Sequence, residues 1–331
     1  MIKFIALSAA ALIALAADTR ADDITDELKT GGLIFLNGSP LRMDEQNLTL
    51  SMDEIWIEYT LTNTAKADVE SVVAVPMPDL TGEFMHEVAI NNPDADDFLG
   101  FKITQDGKSV QPSLEQHVVV AGLDRTEDLR RANVPLLPRA QKTLDAIKSL
   151  PEPVKANLLA QGLIEAQSMG SATDDYIPIW TLRSAYWWKA NFPAGKTVHI
   201  SYRYKPSLGR SLEILFMQQG KPAYKFKETS ARYCMQQAFL KTAADLSKTN
   251  PVEEPAHRPA WISYDGASAP HWNRLPSKYK VTIDKGKPEN YVSFCGSGAK
   301  QTSPTTYVLE PKGEDAFKDL DVLFLVAPQK K

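Results

Sequence analysis

Residues 180–204, WTLRSAYWWKANFPAGKTVHISYRY, decide the fold class of this chain. Trp180, Leu182, Ser184, Tyr186, Trp188, Ala190 and Phe192 occupy every second position, the period of a strand with one face turned to a core. Pro193-Ala194-Gly195-Lys196 interrupts the run, and Val198, Ile200, Tyr202 and Tyr204 resume it. This reads as a β-hairpin with one apolar face. The other face carries Arg183, Trp187 and Lys189 on the first strand and His199, Arg203 and Lys205 on the second. Pairing symmetric about the turn sets Trp187 across from Arg203. A large aromatic among cations on a solvent face normally stacks on something, so these six residues form the candidate ligand-binding surface. The competing expectation is that a neighbouring element covers Trp187 and that Arg203 stacks on it for structural reasons.

The same period extends to both sides. In Glu54 to Thr62, Ile55, Ile57, Tyr59 and Leu61 alternate with Trp56, Glu58, Thr60 and Thr62. A strand over Val69 to Val75 ends at Pro76-Met77-Pro78, because proline cannot donate to a ladder. Phe98 to Thr104 and Val110 to Val120 flank Gln105-Asp106-Gly107-Lys108, with Asp-Gly favouring a tight hairpin turn. Short strands are expected at Trp261 to Tyr264, Tyr279 to Ile283, Tyr291 to Cys295, Thr306 to Leu309 and Val322 to Val326.

Helical spacing enters twice. Ala140, Leu144 and Ile147 follow Pro138, and Val154, Leu158 and Leu159 follow Pro151 and Pro153, so residues 125–167 read as a helical hairpin. It serves either as a cap over a sheet edge or core end, or as a lid or partner-docking arm. A further helix carries Cys234 with Met235, Phe239 and Ala243 on its apolar side. The fold class is mainly β: antiparallel β-sandwich-like lobes with an inserted helical hairpin (about 125–167) and one further helix near Cys234. The organisation is 1–21 signal peptide, 22–230 N-terminal β-rich region with the insertion, and 231–331 C-terminal helix plus β region.

The signal peptide is read from Lys3, the apolar run Phe4 to Ala17 and the small-x-small site Thr19-Arg20-Ala21. The run is shorter than the roughly 18 to 20 residues of a membrane span, so the mature chain is expected to be soluble, periplasmic or secreted, with no transmembrane segment. A lipid anchor would need a cysteine just after the apolar run, and the first cysteine is Cys234. The basic total of 37 against 41 acidic residues gives a net charge of -4, which argues against a nucleic-acid partner. Cys234 and Cys295 are the only cysteines, and in an exported chain they are expected to form one disulfide. The competing role for Cys295, which precedes Gly296-Ser297-Gly298, is a nucleophile, but a reactive thiol needs a base or cation and no histidine is local to it.

No metal or cofactor is expected. Asn91, Asn92, Asp94, Asp96 and Asp97 form an oxygen-rich turn, yet their spacing matches no calcium loop, and Asp and Asn are ordinary turn residues. The histidines, at 86, 117, 199, 257 and 271, never fall at metal-ligand spacing, and His86-Glu87 lacks a second histidine four positions on. His257 and His271, near Trp261 and Trp272 in a proline-rich stretch, are either pocket residues or plain loop residues.

Several segments in order are similar to a family of exported bacterial proteins, domain-of-unknown-function family 4424. They are Thr30-Gly31-Gly32-Leu33-Ile34-Phe35; Thr62-Asn63-Thr64 leading to Val73-Ala74-Val75-Pro76-Met77-Pro78-Asp79; Phe192-Pro193-Ala194-Gly195; Tyr202 with Tyr204 and Pro206; and Ile283-Asp284-Lys285-Gly286 before Val292-Ser293-Phe294-Cys295. The resemblance implies a secreted or periplasmic bacterial protein and brings no activity. Asn-Trp, expected before the last lobe, appears here as His271-Trp272-Asn273. The leading functional expectation is a non-enzymatic cell-envelope binding or scaffold protein that takes an envelope protein or anionic polymer on the basic aromatic face. The alternative is a periplasmic hydrolase or carbohydrate-active enzyme, which requires two buried carboxylates with perturbed titration in an interlobe cleft.

Overall fold

Three sheets carry the alternation seen in the sequence. The computed structural model describes residues 29–31, 33–35, 40–82, 87–167, 175–249, 256–265, 276–312 and 318–328. The signal-peptide expectation for 1–21, His86, and the His271-Trp272-Asn273 segment lie outside the described residues.

The wide sheet has eight strands in the order Lys300–Gln301, Thr306–Leu309, Lys278–Asp284, Leu41–Ser51, Ile55–Asn63, Thr197–Tyr204, Lys102–Gln105 and Lys108–Val110. The second sheet runs Leu123–Asp124, Ser113–Val120, Thr181–Phe192, Val69–Pro76 and Ile34–Phe35, with Leu80–Thr81 also on Thr181–Phe192. The third runs Tyr291–Phe294, Leu320–Val326, Arg258–Asp265, Leu208–Arg210 and Glu87–Ala89, with Lys29–Gly31 parallel to Arg258–Asp265. Lys278–Asp284 is also parallel to Leu41–Ser51, so the wide and third sheets each carry one parallel ladder in otherwise antiparallel pairing, while the second is antiparallel throughout. Each of these two parallel ladders joins a strand before residue 230 to one after it, the first in the third sheet and the second in the wide sheet.

One core lies between the wide sheet and the other two. Ile57, Tyr59, Ile200 and Tyr202 meet Val73, Val75, Tyr186 and Trp188 from the second sheet and Ile262, Tyr264 and Phe324 from the third. Phe101 bridges the layers, its ring centroid 4.3 Å from Tyr186 and 5.4 Å from Tyr202. The Gln46 side-chain amide donates to the Tyr264 hydroxyl at 3.0 Å and joins the wide sheet to the third. Each side chain of this size contributes about 1.5 to 3 kcal/mol by leaving water. The third sheet is covered on its other face too, where Trp261, Leu323 and Leu325 pack against Tyr233, Met235, Phe239 and Ala243. Burial on both faces explains why Leu320–Val326 reads as a nearly continuous apolar run.

The stretch 180–204 is not a hairpin. Thr181–Phe192 belongs to the second sheet and Thr197–Tyr204 to the wide one, so Pro193 to Lys196 form an arch between layers. Asn63 holds the arch, its side-chain amide donating to the Phe192 carbonyl at 2.8 Å and its backbone N–H to the Lys196 carbonyl at 3.0 Å. Both apolar faces point inward as expected, but they approach one core from opposite sides. The tight hairpin does form at Asp106-Gly107, whose φ values of 48° and 74° are those of the left-handed region that a two-residue loop requires.

The insertion contains three helices, Thr126–Arg131, Gln141–Ser149 and Glu152–Ala160. Leu129, Ile147 and Leu158 close with Val118 and Trp180 into a small satellite core, and the Trp180 indole N–H donates to the Leu136 carbonyl at 2.8 Å. The insertion thus covers one end of the second sheet. Cys234 is not helical: with φ 47° it lies between helices Phe226–Arg232 and Gln237–Leu246, and its disulfide to Cys295 ties that turn to the end of Tyr291–Phe294. Met235, Phe239 and Ala243 are buried on one side as their spacing required. The bond removes the nucleophile role for Cys295.

Candidate functional site

The arch divides the six candidate residues between two outer faces. Arg183, Trp187 and Lys189 lie on the outer side of the second sheet, where Trp187 is half-buried between Ser113 and Ala74 and Arg183 pairs with Asp79 at 3.0 Å. His199, Arg203 and Lys205 are exposed on the outer side of the wide sheet. The expected apposition of Trp187 and Arg203 therefore does not exist. Ladder pairing sends each strand to a different neighbour, because the two apolar faces must enclose the core from opposite sides.

A different tryptophan stands beside Arg203. The register of Ile55–Asn63 against Thr197–Tyr204 sets Trp56 directly opposite Arg203, and the next pairing sets Arg203 opposite Lys102. On its other side Trp56 faces Thr49, which faces Thr282. A row of outward side chains thus crosses five strands: Thr282, Thr49, Trp56, Arg203, Lys102. The signal for it was in the sequence, since Trp56 falls among Glu58, Thr60 and Thr62 on the polar side of its alternation.

Trp56 is 41% exposed, and its indole N–H donates to the Ser201 hydroxyl at 2.7 Å, which orients the ring. The Arg203 guanidinium approaches Glu54 only to 3.8 Å, beyond hydrogen-bond range. Arg42 pairs with Asp44 at 2.6 Å and holds that carboxyl below the usual carboxylate range. His199 Nδ1 lies 3.3 Å from the Thr60 hydroxyl, and Thr62 and Thr197 hydroxyls are 2.9 Å apart.

Other chemistry-bearing groups are used structurally. Within the oxygen-rich turn, the Asn91 side-chain amide donates to the Pro206 carbonyl at 2.9 Å, while Asp97 accepts from the Tyr186 hydroxyl and the Phe101 N–H. Among the described residues no group of three or more His, Cys, Asp or Glu side chains is placed to hold a metal. His117 lies 2.7 Å from Asp124 and 3.0 Å from Glu115, and His257 packs on Tyr291 with ring centroids 5.6 Å apart. Among the described residues no Asp or Glu is buried, so they supply no inward carboxylate pair.

The described residues also line cavities, of which two stand out. One, of about 830 Å³, is a groove between the Met217–Gln218 and Lys221–Pro222 strands and the end of Gln237–Leu246, lined by Leu212, Ile214, Tyr224, Lys248 and His257. The other, of about 430 Å³, is lined by Tyr279, Cys295, Leu309 and Lys318, and burial raises the Tyr279 hydroxyl above the ordinary tyrosine range.

No curated protein matches the chain. A candidate nutrient binding protein from Legionella pneumophila is 12% identical with a TM-score of 0.44, covering 90% of this chain and 70% of that one. An M1 zinc metallopeptidase from Deinococcus radiodurans is 9% identical with a TM-score of 0.28, covering 86% of this chain and 42% of that one. Likenesses at this level carry no functional argument. A family model described as a domain of unknown function, DUF4424, matches residues 21–323, and the chain belongs to that family.

Proposed function

We propose that this is an exported, non-enzymatic binding protein of the cell envelope, whose recognition face is the outer side of the wide sheet around Trp56 and Arg203. The observation that carries the reading is an exposed, oriented indole directly opposite a guanidinium that no carboxylate neutralises at hydrogen-bond distance. Aromatic and arginine side chains are the groups most often found to dominate recognition surfaces. Export is supported by the disulfide and by residues 1–21 read as a signal peptide. Among the described residues no helix is long and apolar enough to cross a membrane.

Of the six residues first nominated, Arg203, His199 and Lys205 keep their place on this face. Trp187, Arg183 and Lys189 drop out of it, and Trp56 and Lys102 enter. The test is crosslinking and affinity capture from native envelopes with wild type and a folded Trp56→Ala/Arg203→Ala variant. Recovery of an envelope component by wild type alone is expected; equal recovery by both would remove the face from the function.

A further inference from the structure

We infer that the ligand of this face is an acidic polysaccharide, one sugar ring seated on the Trp56 indole and its carboxylate held between Arg203 and Lys102. The inference rests on the reading of the wide sheet as a binding face. Its main support is an electrostatic cost. Arg203 and Lys102 are direct cross-strand partners, and like charges so placed destabilise a sheet pair. Among the described residues the Lys102 ammonium has no hydrogen bond or ion pair, and the nearest approach of Arg203 to a carboxylate is the 3.8 Å to Glu54. Two other outward arginines, Arg42 and Arg183, are matched at 2.6 Å and 3.0 Å. An anion between Arg203 and Lys102 removes the repulsion, and a carboxylate fits the fork of the guanidinium.

The neighbouring indole selects among anions. Trp56 stands one strand from Arg203, about 4.8 Å along the sheet, so a ring over the indole has its acidic substituent within reach of the guanidinium. Thr49 and Thr282 continue the row on the far side, and Ser201 faces Thr104 in the adjacent one. Their hydroxyls both donate and accept, as sugar hydroxyls require. A protein partner calls for a broader apolar centre, whereas Trp56 is the one exposed large hydrophobic on this face among the described residues. A polyphosphate would use the cations and leave the indole idle.

Isothermal titration of the mature protein with polygalacturonate, dextran and polyphosphate tests this, alongside folded Trp56→Ala, Trp56→Phe and Lys102→Ala/Arg203→Ala variants. Polygalacturonate is expected to bind at least about ten-fold tighter than dextran, and more weakly as salt screens the cations. Trp56→Ala should lose about ten-fold, Trp56→Phe should recover part of it, and the double cation variant should bind polygalacturonate no better than dextran. Polyphosphate binding equal to polygalacturonate, with Trp56→Ala unaffected, would overturn the glycan and leave a plain cation patch. Absence of binding to all three overturns the glycan alone if envelope capture still depends on Trp56, and overturns the binding face as well if it does not.

Discussion

Trp187 and Arg203, which symmetric folding about Pro193 to Lys196 would make neighbours, lie on opposite outer faces of the protein. The chain crosses the core between them. A pair read as one binding surface is thereby two unrelated surfaces, and the two tryptophans make separable predictions.

Trp187→Ala should leave envelope capture unchanged, while Trp56→Ala should weaken it. The adjacent Trp188 supplies the stability control, because it is 3% exposed and faces the core. Trp188→Ala should cost about 3 to 5 kcal/mol, whereas Trp56→Ala, at a residue 41% exposed, should cost clearly less. Urea denaturation measures both, and equal losses would show that Trp56 is a packing residue.

Tyr59, Tyr202 and Tyr264 are buried in the core, and desolvation raises each hydroxyl well above its ordinary value. An unfolded chain releases these protons near pH 10, while the folded chain retains them. Stability is therefore unaffected below about pH 10 and falls as pH rises beyond it. Spectrophotometric titration should show a group of tyrosinates that appear together with loss of tertiary circular dichroism. Complete ionisation of all tyrosines with the fold intact would contradict the buried cluster.

Asp124 is held at about 2 by the hydroxyl and backbone N–H of Thr126, with His117 adding to the effect. Because the folded value lies below the unfolded one, this contribution is present above about pH 4 and disappears as pH falls through about 2. Asp124→Asn should remove that part of the acid dependence and loosen the start of helix Thr126–Arg131. Hydrogen exchange of its first amides provides the readout; exchange identical to wild type would mean that Asp124 does not anchor the helix.

The Cys234–Cys295 bond joins the turn between two helices to the third sheet, and its loss should cost about 4 kcal/mol in the chain-entropy description. Alkylation followed by intact mass should add two labels only after reduction. A Cys234→Ser/Cys295→Ser variant as stable as wild type would show that the packing of Met235 and Phe239 on Trp261 suffices without it.

What the sequence by itself determined is which side of each strand faces inward. Trp188 and Tyr202 are in the core, and Arg203 and Trp56 are outside it, because the pleat alternates side chains by a local geometry that no partner can alter. The Asp106-Gly107 hairpin is local in the same sense, and the disulfide needed no choice of partner in a chain with two cysteines. Only the tertiary structure decided the rest: that residues 193–196 arch between layers, that Lys278–Asp284 joins Leu41–Ser51 in parallel, and that Arg203 meets Trp56 and Lys102. Strand partners are chosen by burial of whole faces and by backbone hydrogen bonds, which look alike at every register. That choice is settled over the assembled core, where segments distant in sequence compete for the same edge.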